Sequence, residues 1–138
     1  MIQPAITGSG LFTPENIITN DELVVAFNAY ADRINSENAD AIASGDVEPV
    51  PQSSAEFIVS ASGIEQRYVM DKTGVLDPNR MFPNLKARSD EEPSIMAEMA
   101  VDAINKALAK AGRDASEGDL VICAASNHER AYPAVVVE

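Results

Sequence analysis

Two side chains near the C-terminal end of the sequence have the chemistry of a nucleophile and its base. Cys123 is the only cysteine and His128 the only histidine, five residues further on. A cysteine beside a histidine can attack a carbonyl carbon as a thiolate. Cys123, however, lies in the apolar run 119–125, where a thiol usually packs as a small buried hydrophobe with a raised pKa. The sequence favours packing for Cys123 and an exposed loop position for His128.

Acidic residues form the remaining candidate metal ligands. Asp90, Glu91 and Glu92 precede the clearest helical pattern, and such a run is typical of a solvated surface. The aspartates of residues 71–90 lack the spacing of a calcium loop. One histidine and one cysteine make no convincing zinc site, so we predict no metal site.

A glycine pair near the N-terminus begins like a dinucleotide-binding motif. No third glycine follows Gly8 and Gly10, and Pro14 stands where the helix of that motif should run. We predict a tight turn, in which glycine permits positive φ or a close approach of the backbone.

Two other residues have open interpretations. Arg67, on a predicted strand, can pair with an acid or contact a substrate phosphate, and pairing is favoured. Tyr132 follows another predicted strand, where a pocket wall and an ordinary contact at a helix start are equally compatible with the pattern.

Composition limits the partners and the location. The chain has 138 residues, a mass of 14.7 kDa and a net charge of −12, which disfavours binding to nucleic acid and to anionic membranes. No apolar run has the length of a membrane span, and the first residues do not resemble a signal peptide. A single cysteine makes a reduced, cytoplasmic location the expectation.

Periodicity and capping residues predict alternating strands and helices, the order of an α/β layered fold. The chain would stop one turn after Pro133, so we expect an N-terminal piece of a larger protein, incomplete at its C-terminal end. The predicted elements are a short strand running into a glycine turn at 4–11, a helix from Thr19 to about 43, a connector at 45–52, a helix at 53–62, a strand at 64–70, a long loop at 71–92, a helix from 93 or 94 to 112, a buried strand at 119–125 and a helix start at 132–138.

These segments, in their order, resemble the N-terminal part of the β-ketoacyl-acyl-carrier-protein synthase III family. The family has a thiolase-like fold of layered α-β-α type. The resemblance rests on residues 6–14, 19–23, 56–59, 62–69, 99–112, 119–122 and 131–134.

The resemblance implies a reaction whose catalytic residues lie outside this chain. In the family a cysteine accepts an acyl group from a coenzyme A thioester. A histidine and an asparagine then assist condensation with malonyl-acyl carrier protein and loss of CO2. All three residues come after Glu138. Cys123 does not match the nucleophile, so the chain alone should be inactive and requires no cofactor.

The resemblance also implies binding roles and one departure from the family. Phe57 and Ala61 occupy the places of the tryptophan and arginine that sandwich the adenine of coenzyme A. Phe57 and Ser53 would line the coenzyme A entrance. Tyr132 matches a phenylalanine that closes the acyl pocket of the partner subunit. A helical insertion at about 30–52 resembles a subgroup that takes longer primers, such as octanoyl thioesters.

The implied partners are acyl-CoA, malonyl-acyl carrier protein, the remainder of the same protein and a second copy in a homodimer, with 120–125 on the dimer side. Arg80, Lys86 and Arg88 are candidates for docking the acidic carrier protein. Two alternatives remain: a thiolase-family acyltransferase of secondary metabolism, and a non-catalytic fragment that binds a partner.

Overall fold

The computed structural model describes residues 3–89, 91–126 and 135–137. They form a mixed α/β structure with several helices and a small sheet. The chain divides into two compact units, one formed by residues 1–13 with 87–138 and the other by residues 14–86. The elements are β1 (Asn16–Thr19), α1 (Asn20–Glu37), α2 (Ala39–Ser44), α3 (Ala55–Ser62), β2 (Gln66–Val69), α4 (Ile95–Ala111), and the 3₁₀ turns Ala115–Glu117 and Val135–Val137.

The sheet of the 14–86 unit joins one predicted strand to one that the sequence analysis missed. β1 pairs with β2 in antiparallel register, from Asn16 opposite Val69 to Thr19 opposite Gln66. Ile18 of β1 is fully buried, and this side chain anchors the sheet. The predicted strand at 64–70 is confirmed over β2. Strand β1 is only four residues long, too short to show the alternation that identifies a strand.

Helix α1 begins where its capping residues predict. Thr19 accepts a hydrogen bond from Glu22 N, and the Glu22 carboxylate accepts one from Thr19 N at 3.0 Å, which completes a capping box. The helix ends at Glu37, and α2 continues as a separate short helix up to Gly45, whose φ is 83°. The predicted end near residue 43 is confirmed, but the break at Asn38 was not expected.

The other two helices also follow their caps. Ser54 and Ser94 accept hydrogen bonds at the beginnings of α3 and α4. Gly63 and Gly112 end these helices with φ of 70° and 63°, a conformation that only glycine adopts without strain. The predicted helices at 53–62 and 93–112 are therefore confirmed to within two residues.

In the other unit, Gly8 and Gly10 pack against the backbone of α4. A Cβ added to Gly10 would overlap the carbonyl oxygen of Ala103 and lie 2.7 Å from Ala107 N. Neither glycine has positive φ, and residues 3–14 contain no turn. The predicted tight turn is wrong, whereas the close approach of the backbone is confirmed.

Two predicted strands are wrong for the chain by itself. Residues 4–11 and 119–125 are irregular, and Leu120 and Ile122 are 77% and 82% exposed. A strand needs a hydrogen-bonded neighbour, and within the described ranges β1 and β2 pair only with each other. Cys123 is half-buried in irregular chain, so its predicted place in a buried strand is also wrong.

Several predictions fall on residues outside the described ranges. Tyr132, His128 and Asp90 belong to this group, as does most of the predicted helix at 132–138. Val135–Val137 forms a 3₁₀ turn.

The predicted long loop is confirmed, since the described residues between 71 and 92 contain turns and no helix or strand. The Asp71 carboxylate holds part of it together. It accepts hydrogen bonds from Thr73 Oγ1 at 2.7 Å, Gly74 N at 2.9 Å and Asn84 N at 2.5 Å. These donors, the Asn84 peptide N–H first, lower the pKa of Asp71 from 3.8 to about 2.

This lowered pKa predicts a pH-dependent contribution to stability. Because the folded state favours the Asp71 carboxylate, its contribution to the free energy of unfolding is complete above pH 3.8. This contribution is lost as the pH falls toward 2. We expect Asp71→Asn to lower the melting temperature at neutral pH, with a difference from wild type that narrows in acid. Thermal unfolding across this range measures it, and a difference independent of pH would contradict the assignment.

Candidate functional site

A cleft between α1 and the beginning of α3 brings together two of the three predicted site residues. It has a volume of about 600 Å³ and includes both Ser53 and Phe57 in its lining. Tyr132, the third predicted residue, lies outside the described residues. The other lining residues are Phe27, Pro51, Gln52 and Ser54.

A smaller apolar pocket of about 230 Å³ adjoins this cleft and shares Phe27 and Ser53 with it. Its other lining residues are Leu23, Val24 and Ile58. Together the two cavities are lined mostly by apolar side chains, with the hydroxyl groups of Ser53 and Ser54 and the amide of Gln52 among them. Such a surface suits a flat or apolar group with a polar attachment.

Phe57 is the most exposed ring of the cleft, with 64% of its surface accessible. It lies in the first turn of α3, where its N–H donates to the capping hydroxyl of Ser54 at 3.1 Å. An exposed ring on a rigid helix can stack on a planar ligand. Helix α3 carries no basic side chain, so the helix itself supplies no cation to such a ligand.

The wall of the cleft is held by side chains of α1. Asn28 Nδ2 donates to the carbonyl of Ser53 at 3.1 Å, and Asn28 Oδ1 accepts from Ser53 N at 2.8 Å. Asn35 makes the same pair of bonds with Val50, at 2.9 and 2.8 Å. Between them, Asp32 accepts a hydrogen bond from Gln52 Nε2 at 2.7 Å.

Sequence reasoning missed these three α1 residues. A signal was present, since asparagine and aspartate have low helix propensity and are usually found at caps and turns. Asn28, Asp32 and Asn35 lie at i, i+4 and i+7 of a helical pattern, which places them on one side of α1.

Arg67 does not pair with an acid among the described residues, so that prediction is wrong. It donates instead to Asn20 Oδ1 at 3.0 Å, and Asn20 Nδ2 donates to the carbonyl of Ile64 at 2.7 Å. Asn20 is buried, with 5% of its surface exposed. Through these two hydrogen bonds, the buried Asn20 at the beginning of α1 links that helix to Arg67 of β2 and to the backbone just before that strand.

The predicted basic docking residues are partly used within the chain. The Arg80 guanidinium lies 4.0 Å from the centroid of the Phe82 ring and donates to the Phe82 carbonyl at 3.2 Å. Arg88 forms an ion pair with Glu98 at 2.8 Å, and this hydrogen bond lowers the pKa of Glu98. Lys86 is exposed. Docking through Arg88 would have to compete with its ion pair.

The described residues contain no cluster of three His, Cys, Asp or Glu side chains placed to hold a metal ion. None of the helices described combines the length and apolar character needed to cross a bilayer.

Known proteins resemble this chain over most of its length, although no family model matches it. It is 51% identical over 113 residues to the β-ketodecanoyl-[acyl-carrier-protein] synthase of Pseudomonas aeruginosa, which covers 82% of the chain and 32% of that relative. It is 29% identical to the β-ketoacyl-[acyl-carrier-protein] synthase III of Bordetella petrii, over 96% of the chain and 29% of the relative. For the enzyme of the same name from Granulibacter bethesdensis the identity is 28%, over 99% of the chain and 29% of the relative. The chain thus spans about a third of the length of these relatives.

Proposed function

We propose that this chain, which is homologous to the β-ketoacyl-[acyl-carrier-protein] synthases, is the N-terminal part of a condensing enzyme of fatty-acid biosynthesis. The complete enzyme would transfer an acyl group from coenzyme A to a cysteine and release free coenzyme A. Decarboxylation of malonyl-acyl carrier protein then yields CO2 and the carbon nucleophile that displaces the cysteine thiolate. The observation that carries this proposal is the 51% identity to a β-ketodecanoyl-[acyl-carrier-protein] synthase.

The preferred primer is a medium-chain acyl thioester. The product named for the Pseudomonas aeruginosa relative has ten carbons. Since malonyl condensation adds two carbons, the primer of such a product has eight. The insertion proposed at about 30–52 covers the end of α1, the short helix α2 and the connector that follows, and we propose that it serves this longer primer.

Phe57 and Ser53 line the entrance for the coenzyme A portion of the substrate. Their common cleft supports this role, because it offers an exposed ring next to hydroxyl and amide groups. With Ala61 in place of the family's arginine, the adenine would depend on Phe57 and on groups outside α3. We therefore propose a weaker hold on the adenine than in family members that retain the arginine.

The chain completes its fold within the whole protein, as part of a thiolase-like α-β-α structure. Exposed apolar residues such as Leu120 and Ile122 support this, because they offer apolar surface that the rest of the protein would cover. A homodimer with this region on the dimer side, a cytoplasmic location and an inactive isolated chain belong to the same proposal.

The test uses the complete protein, purified and supplied with malonyl-acyl carrier protein and a series of acyl-CoA primers. We expect β-ketoacyl-carrier products, CO2 release and the highest kcat/KM with a medium-chain primer. Acyl transfer without CO2 release would favour the alternative acyltransferase. If no acyl-enzyme forms with any primer, the proposal is refuted, and the remaining alternative is a non-catalytic role in binding a partner.

Tyr132 is proposed to close the acyl pocket of the partner subunit. We expect Tyr132→Ala in the complete enzyme to lengthen the pocket and shift preference toward longer primers. The kcat/KM ratio of the decanoyl to the octanoyl primer should rise roughly tenfold, the range in which one or two methylenes are discriminated. Tyr132→Phe, which keeps the ring, is the control. An unchanged chain-length profile in the alanine variant would refute the role.

A further inference from the structure

The connector between α2 and α3 is held to α1 by a ladder of side-chain hydrogen bonds. Two of its residues, Pro49 and Pro51, have no N–H to donate. The N–H and C=O groups of Val50 and Ser53 both pair with asparagine amides, each with N–H to Oδ1 and C=O to Nδ2. Each asparagine thereby bonds the connector in the way that a neighbouring strand would.

The two asparagines are as far apart along α1 as their two partners are along the connector. Asn28 and Asn35 are seven residues apart, about 10 Å along a helix axis. Val50 and Ser53 are three residues apart, about 10 Å along an extended chain. Because Asn28 bonds Ser53 and Asn35 bonds Val50, the connector runs antiparallel to α1, with both bonded pairs in register.

This ladder ends at the proposed entrance for coenzyme A. Ser53 precedes Ser54, which caps α3 and bonds the N–H of Phe57, and both Ser53 and Phe57 line the cleft. We propose that Asn28, with Asn35 and Asp32 in support, is a positioning residue that sets where Ser53 and Phe57 meet the coenzyme A portion of the primer. This inference rests on the proposed function.

The kinetic test compares Asn28→Ala and the isosteric Asn28→Asp with Asn38→Ala in the complete enzyme. Asn38 is the matched control, since it follows the last residue of α1 and its amide donates back to that helix, to the Ile34 carbonyl at 2.8 Å, and not to the connector. We expect both Asn28 variants to raise the KM for acyl-CoA about tenfold, with kcat changed less than about twofold, and the control to change neither. Equal losses of kcat in all three variants, or an unchanged KM in the Asn28 variants, would overturn the inference.

A double variant tests whether Asn28 acts through Phe57. If it does, the double variant has the KM of Phe57→Ala alone. If the KM of the double variant instead rises by the product of the two single fold-changes, the two residues act independently and the shared action is overturned.

A measurement without turnover separates this inference from the proposed function. Hydrogen exchange resolved to single N–H groups within residues 46–54 follows Val50 and Ser53, whose N–H groups donate to the two asparagines. We expect Asn28→Ala to speed exchange there and to leave α4 unchanged. Faster exchange in a protein without condensing activity would refute the function but keep the ladder, whereas unchanged exchange would refute the ladder itself.

Discussion

Replacing Gly10 by alanine in the complete protein is expected to destabilise it by about 3 kcal/mol, the upper part of the range for overpacking. The added Cβ would overlap the Ala103 carbonyl oxygen and lie 2.7 Å from Ala107 N and 2.9 Å from the Ala103 carbonyl carbon. These atoms belong to the backbone of α4, so no side chain can rotate away. The segment must separate from the helix, and thermal and denaturant unfolding would measure the loss.

The spacing of the two glycines explains why they are needed. Two residues of extended chain rise about 6.7 Å, and four residues of helix rise about 6 Å. Gly10 therefore meets Ala103 and Ala107, while Gly8 meets Ala107 and Ala111. Small residues on both elements let the segment lie directly on the helix backbone.

Gly118→Ala is the matched control for the glycine variant. A Cβ there would lie 3.3 Å from its nearest neighbour, the Ala115 carbonyl oxygen, and the backbone φ of −81° suits any residue. We expect a stability within about 0.5 kcal/mol of wild type. If Gly10→Ala behaved like this control, the close approach would not exist in the complete protein.

Local signals in the sequence predicted the helices well because caps act over a few residues. Ser54, Ser94, Gly63 and Gly112 each satisfy peptide groups at a helix end, and such pairs can be found from sequence alone. The break at Asn38 was missed because no glycine or proline marks it.

Strands depend on residues far away in the sequence, so the apolar runs were misread. Residues 119–125 have the composition of a buried strand, yet Leu120 and Ile122 are exposed in the described structure. Composition reports what a segment can bury, whereas a neighbouring strand decides whether it pairs. β1 was missed for the opposite reason, since its four residues form a strand through pairing with β2.

The candidate site divides in the same way between local and distant causes. Phe57 and Ser53 were singled out through the family resemblance, and the structure brings them to one cleft. The contribution of Asn28 was not apparent, because its hydrogen bonds to Ser53 join residues 25 positions apart. Helix periodicity can indicate only that Asn28 lies on the side of α1 shared with Asn35.

Replacing Phe57 by alanine is the functional change with the largest expected effect. An aromatic ring stacked on a base contributes about 1–3 kcal/mol, which corresponds to roughly a fivefold to 150-fold change in affinity. We expect KM for acyl-CoA to rise by this factor while kcat at saturation stays close to wild type. The effect should be large because Ala61 supplies no second group on α3 to hold the adenine.

Two controls identify the adenine as the group that Phe57 contacts. Phe82→Ala removes a ring of similar exposure, 55% against 64%, that does not line the cleft, and KM should stay unchanged. Acyl-pantetheine, which lacks the adenosine, should be used equally well by wild type and by Phe57→Ala. A ring stacked on adenine has no partner in acyl-pantetheine, so its removal should not change the KM for that substrate. If Phe57→Ala raised the KM for acyl-pantetheine as much as the KM for acyl-CoA, Phe57 would contact the pantetheine arm or the acyl chain instead.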